Sequence, residues 1–172
     1  MSGFVVDTNV AVTANGKVPQ AGPACTLACV EALRSIVQGS FVVLDTGYEI
    51  LDEYVRNLGG AGQPGPGDAF LKWLWQNQAN TERCRSVPIT ALPGSAECYA
   101  EFPPDPRLRG FHNDDRKFVA VARTSNDAPR ILNAVDSDWW LLEHVLSEHG
   151  VEVQHLCPEQ VSNWQRRHGA RA

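Results

Sequence analysis

The chain has 172 residues, of which 43% are hydrophobic and 20% charged, the composition of a folded globular protein long enough to bury a sizeable core. A net charge of −5 excludes a protein that coats nucleic acid through a general basic field, although an acidic chain still acts on nucleic acid where its acids hold metal ions and its bases cluster. No apolar run approaches the ~20 residues that cross a bilayer, and no basic segment with an apolar core opens the chain, so a cytoplasmic protein without membrane contact is expected.

The elements follow in chain order. Phe4, Val5 and Val6 predict a buried strand over 3–7 that ends in Asp7, after which a new element opens at Thr8 and Asn9. An unpartnered buried charge costs several kcal/mol; a bound cation or a helix N-terminus offsets it. Apolar positions at helical spacing predict a helix over 24–39, with Gly39 as its stop. "FVVLD" is a second strand, 41–45, ending in Asp45. Thr46 and Glu49 then match a capping box that opens a helix stopped by Gly59. Within 59–67, Gly60, Gly62 and Gly65 have the spacing of a dinucleotide fingerprint. They follow a helix rather than a strand, and Pro64 and Pro66 lack the N–H groups a phosphate needs, so the stretch reads as a flexible linker.

Asp68 is expected to cap a helix through Ala79, and 83–90 to form a short strand weakened by Pro88. Residues 91–113, with Pro93, Pro103, Pro104 and Pro106, read as irregular. Asn113 or Asp114 should cap the next helix, followed by a strand over 130–136, a helix stopped by Gly150, a strand over 151–156 and a final helix begun by Pro158. Strand and helix alternate throughout, which predicts one α/β domain over 1–172: a parallel sheet with helices on both faces, a three-layer sandwich.

Five cysteines, Cys25, Cys29, Cys84, Cys98 and Cys157, form an odd set without a secretion signal, which predicts reduced thiols. Cys25 and Cys29, four apart on one helix face, offer two metal ligands. No second pair has zinc-site spacing, so buried apolar-like cysteines are the favoured reading.

Acids mark the strand ends. Ligands of open parallel sheets bind outside the carboxyl ends of the strands, where Asp7, Asp45 and Asp136 stand. Asp138 follows Asp136, and helices starting at the same edge bring Glu49, Glu53, Asp114 and Asp115. First-turn helix electrostatics account for Glu49, Asp114 and Asp138. They account less well for Asp7, because Thr8 or Asn9 could cap in its place. Four carboxylates in one place repel and raise one another's pKa unless a cation joins them. Magnesium and manganese take oxygen ligands, and such sites activate water for phosphodiester cleavage.

Five stretches in order, "VVDTNV", "EILDEYVRNL", "DDRKFVAVA", "NAVDSDWW" and "VEVQHLCPEQ", span nearly the whole chain. Together they resemble the PIN domain family, nucleases found among prokaryotic toxins and RNA-processing factors. The resemblance implies a five-stranded parallel sheet and magnesium- or manganese-dependent cleavage of RNA. It also implies a frequent dimer and, for a toxin, a small antitoxin partner. Carried over by position, Asp7 is the first acid with Asn9 as supporting amide. Glu53 is the second, because Glu49 already has a capping role. Asp115, with Phe118 three residues on, is the third, and Asp114 is its cap. Asp136 is the fourth, with Asp138 as an outer ligand. Arg107, Arg109, Arg116 and Lys117 are candidates to hold the RNA backbone, a contact that positions without specifying sequence; Arg166, Arg167 and Arg171 form a second basic cluster.

One departure is Ala134, where many members carry Thr or Ser. Asn133 does not simply replace it, because adjacent strand residues face opposite ways; Thr8 is the candidate hydroxyl. Two alternatives stand beside the nuclease. In a haloacid dehalogenase-type phosphatase, Asp7 would be nucleophile, with Lys117 and the "DSD" acids in support, but Asn9 stands where that class usually has an acid. The other alternative is a PIN-like module that binds RNA or protein without turnover.

Overall fold

The computed structural model describes residues 1–59, 63–160 and 163. Five strands form one sheet: β1 (Gly3–Val6), β2 (Phe41–Asp45), β3 (Cys84–Val87), β4 (Arg130–Asn133) and β5 (Val153–His155). All neighbours pair in parallel, in the order β3-β2-β1-β4-β5. Strands covered on both faces read as unbroken apolar runs, and β2 is buried at all five positions. Val5 and Val6 of β1 lie opposite Ile131 and Leu132 of β4, and the ladder continues one residue further where the Asp7 N–H donates to the Leu132 carbonyl at 3.1 Å.

The helices α1 (Thr8–Ala14), α2 (Gly22–Gly39), α3 (Glu49–Leu58), α4 (Pro66–Asn77), α5 (Arg116–Thr124) and α6 (Ser137–Glu148) flank the sheet. The first four pack on one another, α5 lies against β1, β2 and β4, and α6 lies beside β5. Trp139, Tyr54, Phe70, Phe111 and Phe118 are fully enclosed. Trp139, Val145 and Leu146 of "WWLLEHVL" go into this core, while Leu141 faces out. No described helix is long and apolar enough to cross a membrane.

From β1 the chain winds outward through β2 to β3, then returns to the other side of β1 for β4 and β5. The strand order therefore reverses between β1 and β4, and a crevice opens there at the carboxyl edge. Asp7 and Asp136 end the segments that flank it.

Several local expectations are corrected. Asp45 caps α3, accepting from the N–H groups of Glu49 (2.8 Å) and Ile50 (2.9 Å), so the Thr46–Glu49 capping box does not form. The helix expected from Asp68 begins at Pro66, and Asp68 reaches back to accept from the Gly65 N–H at 2.7 Å. Part of the expected linker is docked rather than flexible: Asn15 accepts from the Gly67 N–H and donates to Asp68, each at 2.7 Å. A Cβ on Gly67 would stand 2.2 Å from the Ala11 carbonyl oxygen, so only glycine lets α4 approach α1 this closely. Gly60 and Gly62 lie outside the described residues. A 3-10 turn over Asn113–Asp115, without a side-chain cap, precedes α5. Residues 158–160 are helical, as Pro158 predicts, and Arg166, Arg167 and Arg171 lie outside the described residues.

The reduced-thiol expectation also fails. Cys25 and Cys157 are joined in a disulfide, because the first turns of α2 lie beside the end of β5. Cys29 and Cys84 are buried free thiols, and Cys98 is half-buried.

Candidate active site

A cleft of about 710 Å³ opens at the carboxyl edge, where the strand order reverses. Asp7, Glu53, Asp115, Asp136 and Asp138 line it, together with Thr8, Asn9, Arg56, His112 and Asp114. Asp7, Glu53, Asp115 and Asp136 arrive on four different elements, each for a local reason.

Asp7 follows β1 and is the N-cap of α1, accepting from the Asn9 N–H at 2.8 Å. It therefore takes the capping role for which Thr8 and Asn9 were the candidates. Its other oxygen accepts from the Trp139 indole N–H at 2.6 Å. The indole is clamped edge-on by Phe111, with ring centroids 4.8 Å apart. Asp136 caps α6 in the same manner, accepting from the Asp138 N–H at 2.8 Å. Glu53 is brought in by α3, which is pinned to the end of β1 where the Tyr54 hydroxyl donates to the Val6 carbonyl at 2.8 Å. Asp115 ends the 3-10 turn before α5 and is 8% exposed.

Two asparagines stitch the β1 and β4 ends together. Asn9 donates to the Asn133 side-chain oxygen (2.9 Å) and accepts from the Ala134 N–H (2.8 Å). Asn133 in turn donates to the Asp136 carbonyl at 2.8 Å. Asn9 thereby ties the start of α1 to the end of β4. Asn133, set aside in the sequence, is wholly buried and organises the turn that presents Asp136. At Ala134 it is the backbone N–H that serves the network, a role any residue but proline can fill.

Electrostatics show a site short of positive charge. Burial, with the charges of Asp136 and Glu53 added, pushes the Asp7 carboxyl up to about 7 despite the bonds from Asn9 and Trp139. Burial and the charges of Asp7, Asp136 and Glu53 push Asp115 up to about 9, with Lys117 opposing. Asp136 is raised by burial and by Asp138. Thr8 is 4% exposed, and its hydroxyl oxygen has no hydrogen-bond partner. All-oxygen donors, carboxyls held above their ordinary range and an orphaned hydroxyl fit a hard divalent cation; Asp7, Asp115, Asp136 and Asp138 would hold it.

The basic residues are distributed differently from expectation. Lys117 is buried and forms an ion pair with Glu53, also donating to the Asp114 carbonyl. Arg116 is buried too: its guanidinium donates to the carbonyls of Phe111 (2.9 Å), Arg109 (3.1 Å), Leu108 (3.3 Å) and Ala96, and lies over the Phe102 ring. It knits the 91–113 segment together and is unavailable to RNA. Arg107 bridges Asp105 (2.6 Å) and Glu148 (2.7 Å), and neither it nor exposed Arg109 lines the cleft. Glu49 is exposed and outside the cleft, accepting from the Tyr99 hydroxyl at 3.3 Å, so it does not support the acids. Asp114 stands at the rim, 3.8 Å from His112.

The basic groups that do line the cleft, Arg56 and His112, were missed in the sequence. Arg56 was legible: it lies three residues after Glu53, on the same face of α3. His112 and Trp139 had no local signal. Comparison with protein-family models, with curated proteins and with solved structures finds no match to this chain.

Proposed function

We propose that the protein is a metal-dependent endoribonuclease of the PIN type. The observation that carries this reading is that Asp7, Glu53, Asp115 and Asp136, from four separate elements, line one cleft together with Thr8, whose hydroxyl has no partner. A bound magnesium or manganese ion supplies Lewis-acid activation of water and charge stabilisation at the phosphorus. Asp7, Asp115 and Asp136 would hold that ion, with Asp138 behind them. Asn9 and Trp139 fix the Asp7 carboxylate, and Asn133 fixes the turn bearing Asp136. Lys117 orients Glu53 toward the same space through their ion pair, where Glu53 would accept a proton from the attacking water. Arg56, exposed at the mouth, takes the phosphate backbone in place of Arg107, Arg116 and Lys117. As a toxin, the protein would be silenced by a small antitoxin placing a basic side chain among these acids; that role and a homodimer rest on the family resemblance. The phosphatase alternative loses its supporting lysine to Glu53.

The test is cleavage of a broad RNA pool by purified protein in EDTA, magnesium or manganese, with Asp7→Asn and Asp115→Asn alongside. Metal-dependent cleavage lost in both variants is expected. RNA bound but uncut by folded protein in manganese overturns the nuclease in favour of a binding module.

A further inference from the structure

Away from the acids, a second cluster gathers groups with metal-ligand chemistry. Cys25 and Cys29 stand one turn apart on the buried face of α2, and Cys157 follows β5. The three sulfurs lie within 4.8 Å of one another. Cys25 and Cys157 are bonded, and Cys29 is the enclosed free thiol beside them. We propose that reduction of the Cys25–Cys157 disulfide opens a three-sulfur site for one thiophilic cation, Cu(I), so that this corner holds either a disulfide or a metal ion and never both.

The geometry needs little change. Metal–thiolate bonds of ~2.3 Å around a trigonal ion place sulfurs roughly 4 Å apart, within the spread observed, and the Cys25 and Cys157 Cα atoms are already 5.2 Å apart. A small dithiol performs the opening step. Its two sulfurs close into their own disulfide, and two electrons and two protons pass to Cys25 and Cys157, which leave as thiols. Loading with Cu(I) then displaces the protons of the ligating thiols to solvent. Access exists, because a cavity of about 410 Å³ is lined by Cys25, Cys157, Gly22 and Pro158.

The donor set selects the ion. Structural zinc sites close with four ligands, and among the described residues no fourth Cys, His, Asp or Glu joins the three sulfurs. An all-sulfur, three-ligand set suits Cu(I).

The experiment is an anaerobic titration of reduced, desalted protein with Cu(I) against a chromophoric Cu(I) chelator. One equivalent should be withdrawn from the chelator by the wild type and by Cys84→Ala/Cys98→Ala, which removes the other two thiols. Cys29→Ala leaves the disulfide partners intact and should weaken binding at least about tenfold, an effect already seen for lost outer-shell partners. Cys29→Ser serves if the alanine variant does not fold, and Cys157→Ala should match either. Oxidised wild type should withdraw no copper. Wild-type affinity in the Cys29 and Cys157 variants, equal uptake by the oxidised protein, or loss of uptake in the Cys84/Cys98 variant would each overturn the proposal.

Discussion

Replacing Asp7 by Asn should change stability in opposite directions at the two ends of an accessible pH range. Asp7 is 3% exposed, and its carboxyl is raised from 3.8 to about 7, chiefly by burial. An acid raised on folding contributes stability that is fully present below its unfolded pKa and is lost as the pH climbs through the folded value. Each pH unit between 5 and 7 therefore removes about 1.4 kcal/mol from the metal-free wild type, roughly 3 kcal/mol in all. Asp115, pushed up to about 9, is protonated when folded and ionised when unfolded over that window, so it removes a comparable amount from wild type and variant alike, and the difference between the two isolates Asp7. The variant has no charge to bury. It does lose an acceptor, since its amide NH2 faces either the Asn9 or the Trp139 N–H, a pH-independent loss of about 1–3 kcal/mol. Urea unfolding in EDTA should thus find Asp7→Asn at or below wild type at pH 5 and gaining on it by roughly 3 kcal/mol at pH 8. A stability difference that stays flat from pH 5 to 8 refutes the reasoning, because it would mean that Asp7 is ionised throughout without strain.

Other outcomes follow from the same contacts. Lys117→Met should destabilise the fold by about 3 kcal/mol in urea, the lower end for breaking a buried pair because Glu53 also faces the cleft. Arg116→Met strips several carbonyls of a charged donor; a loss of at least about 3 kcal/mol is expected, with limited proteolysis cutting first between 91 and 113. On the nuclease reading, Arg56→Ala should weaken RNA binding evenly across sequences and lower the salt slope by about 1, while Arg107→Ala leaves the slope unchanged.

The strands were legible because a doubly covered parallel sheet leaves unbroken apolar runs such as "FVVLD", and because acids stand at or within three residues after the ends of β1, β2 and β4. Asp7, Glu53, Asp115 and Asp136 were legible for the same reason: topology sends every carboxyl end to one edge. The bases were not. Arg116 and Lys117 sit beside Asp115 in sequence, where they read as phosphate ligands, but both turn inward once α5 packs against the sheet. Asn133 was passed over on strand alternation alone, although a buried amide at the end of β4 can still reach across a turn. The Cys25–Cys157 pairing spans 132 residues and leaves no spacing pattern to read.

The place of β1 between β2 and β4 governs how this protein comes into being during synthesis. The first three strands leave the ribosome well before residues 130–133, so β1 waits with one hydrogen-bonding edge open, a template for pairing with another chain. Contacts this distant in sequence also slow folding. Asp136, on the last wall of the cleft, arrives with the strand that closes that edge, and the same event that shields the nascent chain completes the acidic site.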